Sequence, residues 1–176
     1  MATFFNTKKL DFESNPAAPI QFGLLTLMPR LSQNAGSKQL IFDLRQLNPG
    51  KYSFPYHFHH HSEELMYVIS GEMTVRTPEG LRVIGPGELV FFELGESSAH
   101  QFHNHADQPC IYLDIRSNMG FDLTEYPDSG KVNVSPPGMV FEKDKQVNYH
   151  QGEEKVEEIW ENLKTAGFTN EEFTDI

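Results

Sequence analysis

Cysteine is nearly absent: Cys110 is the single one in 176 residues, so no intrachain disulfide can form and nothing in the chain asks for an oxidising compartment. Basic residues are scarce too. There are 14 Lys and Arg against 25 Asp and Glu, for a formal charge of −11, and no basic run longer than Lys8-Lys9. Such a chain repels a phosphate backbone and an anionic bilayer alike, which argues against nucleic acid and membrane as partners. No apolar run approaches the roughly 18 residues of a membrane span, and the first ten residues lack the apolar stretch of a signal peptide. Cytoplasmic residence is the default expectation, with Cys110 a small buried hydrophobe in a strand. Internal repeats and low-complexity segments are also missing.

What the chain does have is enough apolar content, 38% with fourteen Phe, to bury one core, and too little length for two ordinary domains. We expect a single domain over 1–176: an N-terminal arm over 1–37, a barrel core over 38–116 and an extension over 117–176. Turn residues recur at short spacing, and between them apolar and polar residues alternate with period two. Strands are expected over 39–47, 64–70, 73–75, 82–84, 89–92, 101–104 and 110–115, with Pro78-Glu79-Gly80 turning a hairpin. The fold class is all-β, a sandwich or barrel. Only the end reads as helix, over about 153–165, where Val156, Ile159, Trp160 and Leu163 share a face and Gly167 stands at the cap. That stripe would dock on the barrel or on a second subunit. The Pro- and Gly-rich stretch 117–151 reads as irregular covering segments or edge strands.

Chemistry concentrates in Tyr56-His57-Phe58-His59-His60-His61, with Glu63 and Glu64 just behind and His100 and His103 about forty residues on. On a strand, His57 and His59 point to one face about 6–7 Å apart, near enough to converge on one ion at roughly 2.0–2.1 Å. Glu64 and His100 are the further donors that the strand layout supplies, and an N/O set of this kind suits zinc, iron, manganese or nickel over a soft thiolate metal. Parity turns His60 outward, and spacing to Gly71 favours Glu64 over Glu63. His61 shares the parity of His57 and His59; His103 opposes His100 and belongs to the outside or rim. His105 and His150 are loop residues.

These residues resemble the cupins. Gly50, then His57-Phe58-His59, four residues, Glu64, six residues and Gly71 is similar to the first cupin motif; Gly87 followed by His100 and, four positions on, Asn104 is similar to the second. The likeness covers about 39–115. It departs from the pattern where six residues separate Gly50 from His57, where Glu93 replaces a proline, and where four residues lie between Gly95 and His100. The segment Tyr126-Pro127-Asp128-Ser129-Gly130-Lys131 also resembles a feature of a poorly characterised group of single-domain cupins. The resemblance implies a double-stranded β-helix (jelly-roll) barrel in which His57, His59, Glu64 and His100 hold one divalent transition metal ion.

An ion held by three imidazoles and a carboxylate keeps positions open for substrate. The expected function is thus a metal-dependent enzyme acting on a small polar molecule: an isomerase or epimerase of a sugar or sugar derivative, or an oxygenase or decarboxylase of a small acid. The alternative is a non-catalytic cupin that binds or senses a small ligand. Tyr56, Tyr67, Glu63 and Glu93 are candidates for acid–base work. Arg45, Arg76, Arg82 and Arg116 stand isolated on strands, where alternation points such residues to solvent, so no phosphate pocket is flagged. The aromatic surplus favours a homodimer that covers an apolar sheet face.

Overall fold

The computed structural model describes residues 2–165. The chain divides into two compact units, Met1–Lys143 and Asp144–Ile176. In the first, β1 (Glu13–Ser14) and β2 (Leu24–Thr26) precede a one-turn helix, α1 (Leu31–Asn34). There follow β3 (Leu40–Leu47), β4 (Phe58–His59), β5 (Glu64–Ser70), β6 (Met73–Thr77), β7 (Gly80–Ile84), β8 (Leu89–Phe92), β9 (Gln101–His103), β10 (Cys110–Ser117), β11 (Asp122–Tyr126), β12 (Lys131–Ser135) and β13 (Met139–Glu142). The strands build three sheets: a six-stranded one ordered β1-β2-β3-β10-β5-β8, a four-stranded one ordered β13-β12-β11-β4, and a three-stranded one ordered β7-β6-β9.

The all-β expectation holds, and most of the expected strands appear within a residue or two. Pro78-Glu79 closes the β6–β7 hairpin, in which Thr77 pairs with Gly80. The stretch 117–151 is more regular than its turn residues suggest, because β11, β12 and β13 form an antiparallel meander there. In the second unit, α2 (Val156–Thr165) has Glu157 and Glu158 in its first turn and Lys164 in its last, matching the helix dipole. Gly167 lies outside the described residues.

The main core lies between the six-stranded and three-stranded sheets. Leu47, Met66, Val68, Cys110 and Tyr112 from one meet Met73, Val75, Ile84 and Phe102 from the other. Each such side chain contributes about 1.5–3 kcal/mol on burial. Gly71 lets the chain cross between these sheets: its φ is +74°, and a Cβ there would lie 2.4 Å from the Pro109 carbonyl oxygen and 2.8 Å from Cys110 Cα.

A second cluster sits on the other face of β3 and β10. There Leu44, Phe42 and Leu113 are covered by Phe5, Leu10, Phe12, Leu27 and Leu31 of the N-terminal arm. This cover reverses the usual outcome of alternation. With the apolar row of β3 buried under the arm, the polar row, Asp43 (0% exposed) and Arg45 (3% exposed), turns to the interior.

Candidate metal centre

Local pairing sets the histidines. The backbones of His57 and His100 form an antiparallel bridge, with His57 N–H donating to His100 O at 3.2 Å and His100 N–H donating to His57 O at 2.8 Å. His59 lies on β4, opposite Thr124 of β11. Glu64 opens β5, between Phe92 of β8 and Arg116 of β10. His57, His59 and His100 are all buried. The His57 ring lies 5.1 Å from that of His59 and 4.7 Å from that of His100, centre to centre, and His100 stacks on Phe92 at 3.7 Å.

Each of these imidazoles has its outer nitrogen engaged. His57 Nδ1 lies 2.9 Å from the Pro55 carbonyl and His100 Nδ1 2.9 Å from the Ser98 carbonyl; a carbonyl only accepts, so both Nδ1 atoms carry the proton. His59 Nδ1 is held by Asp122 Oδ2, and the Arg116 guanidinium approaches His59 Nε2 at 3.4 Å. The Nε2 atoms are therefore the inward-facing ones, that of His59 with Arg116 beside it. Glu64 faces two of them, with Oε2 at 3.0 Å from His100 Nε2 and Oε1 at 3.5 Å from His59 Nε2.

Carboxylate oxygens and bare imidazole nitrogens repel at such distances unless a cation or protons stand between them. The spacing is that of neighbouring ligands: bonds of about 2.1 Å place two donors about 3.0 Å apart at octahedral angles and about 3.4 Å apart at tetrahedral ones. His57, His59 and Glu64 bring their donor atoms within 4.8 Å of one another, a group able to hold a metal ion.

Electrostatics keep His57 and Glu64 in their ligating forms. Burial pushes His57 down to about 3, helped by the neighbouring His100, so its imidazole stays neutral. Burial also disfavours charge on His59, but Asp122 and Glu64 outweigh it and raise its pKa. Burial would protonate Glu64, yet hydrogen bonds with His100 and His59 hold it well below the usual carboxylate range.

The centre opens into a cavity of about 310 Å³. His57, His59 and Glu64 line one part, and Arg30, Arg45, Asp114 and Arg116 another, with Tyr126 and Asn133 contributed by the meander. The expectation of solvent-facing arginines is thus corrected for two of four. Arg45 is buried, with Nε on Asp114 at 3.2 Å, and Arg116 reaches His59. Arg76 and Arg82 do stay at the surface, paired with Asp128 and Glu88.

Residues 44–116 match the family model of the cupin domain. The chain carries a cupin domain. Solved structures extend the likeness over the cupin's flanking strands. A sugar phosphate isomerase of the cupin superfamily from Silicibacter pomeroyi has a TM-score of 0.72 and 22% identity, covering 85% of this chain and 99% of that one. A protein from Acidithiobacillus ferrooxidans to which sugar phosphate isomerase activity is ascribed has a TM-score of 0.69 and 24% identity, over 82% and 95%. The polyketide cyclase RemF from Streptomyces resistomycificus has a TM-score of 0.53 and 23% identity, over 66% and 80%. At such identities they establish the shared double-stranded β-helix fold. Among curated proteins none matches the sequence.

The other histidines singled out above fall outside the centre. His60 is exposed and pairs with Glu125 at 2.9 Å, and His103 stacks on Tyr52 with ring centres 4.5 Å apart. His61 donates its backbone N–H to Asp122 Oδ1, and Glu63 is exposed, donating its backbone N–H to Ser117. Among the acid–base candidates, Tyr67 is exposed, Tyr56 packs beneath the Arg76 guanidinium, and Glu93 accepts from Ser97; none of these or Glu63 lines the cavity. Asp122, Asp114 and Arg30 escaped the sequence reading, and Tyr126 entered it only as part of a family-like segment, without a place in the site. Alternation along Asp122-Leu123-Thr124-Glu125-Tyr126 was the available signal for the meander; Arg30 carried none.

Proposed function

We propose that this cupin binds one divalent transition metal ion through His57, His59, Glu64 and His100 and uses it to isomerise or epimerise a small sugar derivative. The observation that carries the reading is the set of inward Nε2 atoms facing one ionised carboxylate at the mouth of a polar cavity. The ion would supply Lewis-acid polarisation of a substrate carbonyl or hydroxyl. The chain's own part is to hold the three imidazoles in register through Pro55, Ser98 and Asp122. Asp114 and Tyr126 offer groups able to move a proton beside the bound molecule. Burial raises the Tyr126 phenol above its usual value, which keeps it a hydrogen-bond donor at neutral pH.

Elemental analysis of untagged protein should find close to one transition-metal ion per chain, with His57→Ala and His100→Ala each losing it. Wild-type protein that is metal-free and refuses added iron, manganese, nickel and zinc overturns the ligand assignment. Turnover of keto-sugars and aldo-sugars by the loaded protein separates an enzyme from a binder, since ligand-induced stabilisation without turnover supports the non-catalytic alternative. A homodimer belongs to the same reading: Leu81 and Val83 of β7 and Leu89 and Phe91 of β8 are all exposed, and light scattering at micromolar concentration tests it.

A further inference from the structure

We propose that Arg30, Arg45 and Arg116 form an oxyanion subsite in the metal cavity, which takes the phosphate monoester of the substrate. The inference deepens the reading of the same site given above and rests on it for the position of the reacting group. Three of the five arginines in the chain, and no lysine, line this one cavity. A chain of charge −11 does not gather cations in its interior without opposing cost. The crowding is felt: burial first, and then Arg45 and Arg116, lower the pKa of Arg30.

The acids nearby leave this charge incompletely matched. Two carboxylates, Glu64 and Asp114, line the same cavity, and Glu64 belongs to the metal centre. Asp114 engages Arg45 Nε at 3.2 Å, while Asp43, 3.7 Å from Arg45 Nη1, accepts the backbone N–H groups of Leu27 and Leu31. Arg45 Nη1 is buried with no hydrogen-bond partner among the described residues, on a side chain only 3% exposed. An orphaned guanidinium N–H of this kind is a defect unless a ligand completes it. The Arg116 guanidinium has the His59 ring nitrogen as its hydrogen-bond partner, and no carboxylate lies within 4 Å of Arg116 or Arg30 among the described residues.

The identity of the anion follows from donor count. A carboxylate is satisfied by one bidentate guanidinium, whereas three guanidinium groups lining one cavity suit the three oxygens and double charge of a phosphate monoester. The arginines come from separate elements, the turn before α1, β3 and β10, so the subsite exists only once the arm has folded over the sheet.

Calorimetric titration of metal-replete protein with glycerol, glycerol 3-phosphate and glycerate tests the assignment. Glycerol 3-phosphate should bind at least tenfold more tightly than glycerol, and more tightly than glycerate. Arg30→Gln, which breaks no hydrogen bond of the Arg30 side chain among the described residues, should lose about tenfold of that affinity while keeping its metal content. Arg45→Lys keeps the charge but removes the fork, and should weaken binding likewise. Equal binding of the three probes, tighter binding of glycerate, or unchanged affinity in both variants overturns the subsite. Preference for the phosphate that survives chelation of the metal supports the subsite even if the metal reading fails.

Discussion

The Nδ1 of His59 and the carboxylate of Asp122, 63 positions apart in the sequence, form a buried hydrogen bond that joins β4 to the first residue of β11. The same carboxylate accepts the His61 backbone N–H at 3.0 Å and lies near the Thr124 hydroxyl. Asp122 therefore fixes both the tautomer of one imidazole and the path of the strand that carries it. Burial raises its pKa, but His59 outweighs that and lowers it, so it stays ionised at neutral pH.

Asp122→Asn should leave the fold intact and weaken metal binding by about 10–100-fold, the usual effect of losing the carboxylate behind a ligating imidazole. Competition with a chromogenic chelator measures this. An affinity equal to wild type would show that Asp122 merely closes the sheet.

Proton linkage at His57 contributes to the acid behaviour of the metal-free protein. Its native pKa, about 3, lies below the ordinary histidine value of 6.5, so between these limits the unfolded chain binds more protons. Stability is then lost as pH falls from 6.5 towards 3, by about 1.4 kcal/mol per unit from this residue at the steepest. His59, with its raised pKa, contributes with the opposite sign: its stabilisation is full below 6.5 and lost as pH rises through its native value. Urea denaturation at pH 7, 6 and 5 should show a shallower fall in His57→Gln than in the wild type, and parallel curves would exclude the effect.

Gly71→Ala should cost about 2–4 kcal/mol, since the new methyl meets the backbone of Pro109 and Cys110 and the positive φ adds strain. Gly36→Ala is the control: its φ of +65° carries a similar conformational cost of roughly 1 kcal/mol, but nothing lies within 4 Å. Chemical denaturation of both variants should separate the steric part from the conformational part.

Cys110 should resist thiol reagents at pH 8 in the native state. It is fully buried, and burial, with Glu72 adding to it, pushes its pKa up to about 11. Labelling by Ellman's reagent should proceed at the rate of opening and accelerate in denaturant; immediate labelling in buffer would place the thiol at the surface.

The cluster of His57, His59 and Glu64 was legible because period two along a strand sorts His57 and His59 from His60, and spacing to Gly71 favours Glu64 over Glu63. The arginines were not. Alternation says that two rows face apart, but not which row faces the interior, and in β3 the buried Leu44 suggested the wrong answer. Its cover comes from Phe5, Phe12 and Leu31, at sequence distances no local pattern reports. The meander over 122–142 was obscured by the Pro and Gly of its own turns.

The N-terminal arm has one more consequence. Where the interior turns polar, around Asp43, Arg45 and Asp114, the adhesive contact has migrated to the outside of the sheet, onto Leu44 and Leu113. Cohesion and recognition thus occupy opposite sides of one strand pair. Residues lining the chamber can be exchanged for a different guest while the outer seam keeps the sheet closed, whereas a lesion at Phe5 or Phe12 of the arm would deform the chamber without touching any group inside it.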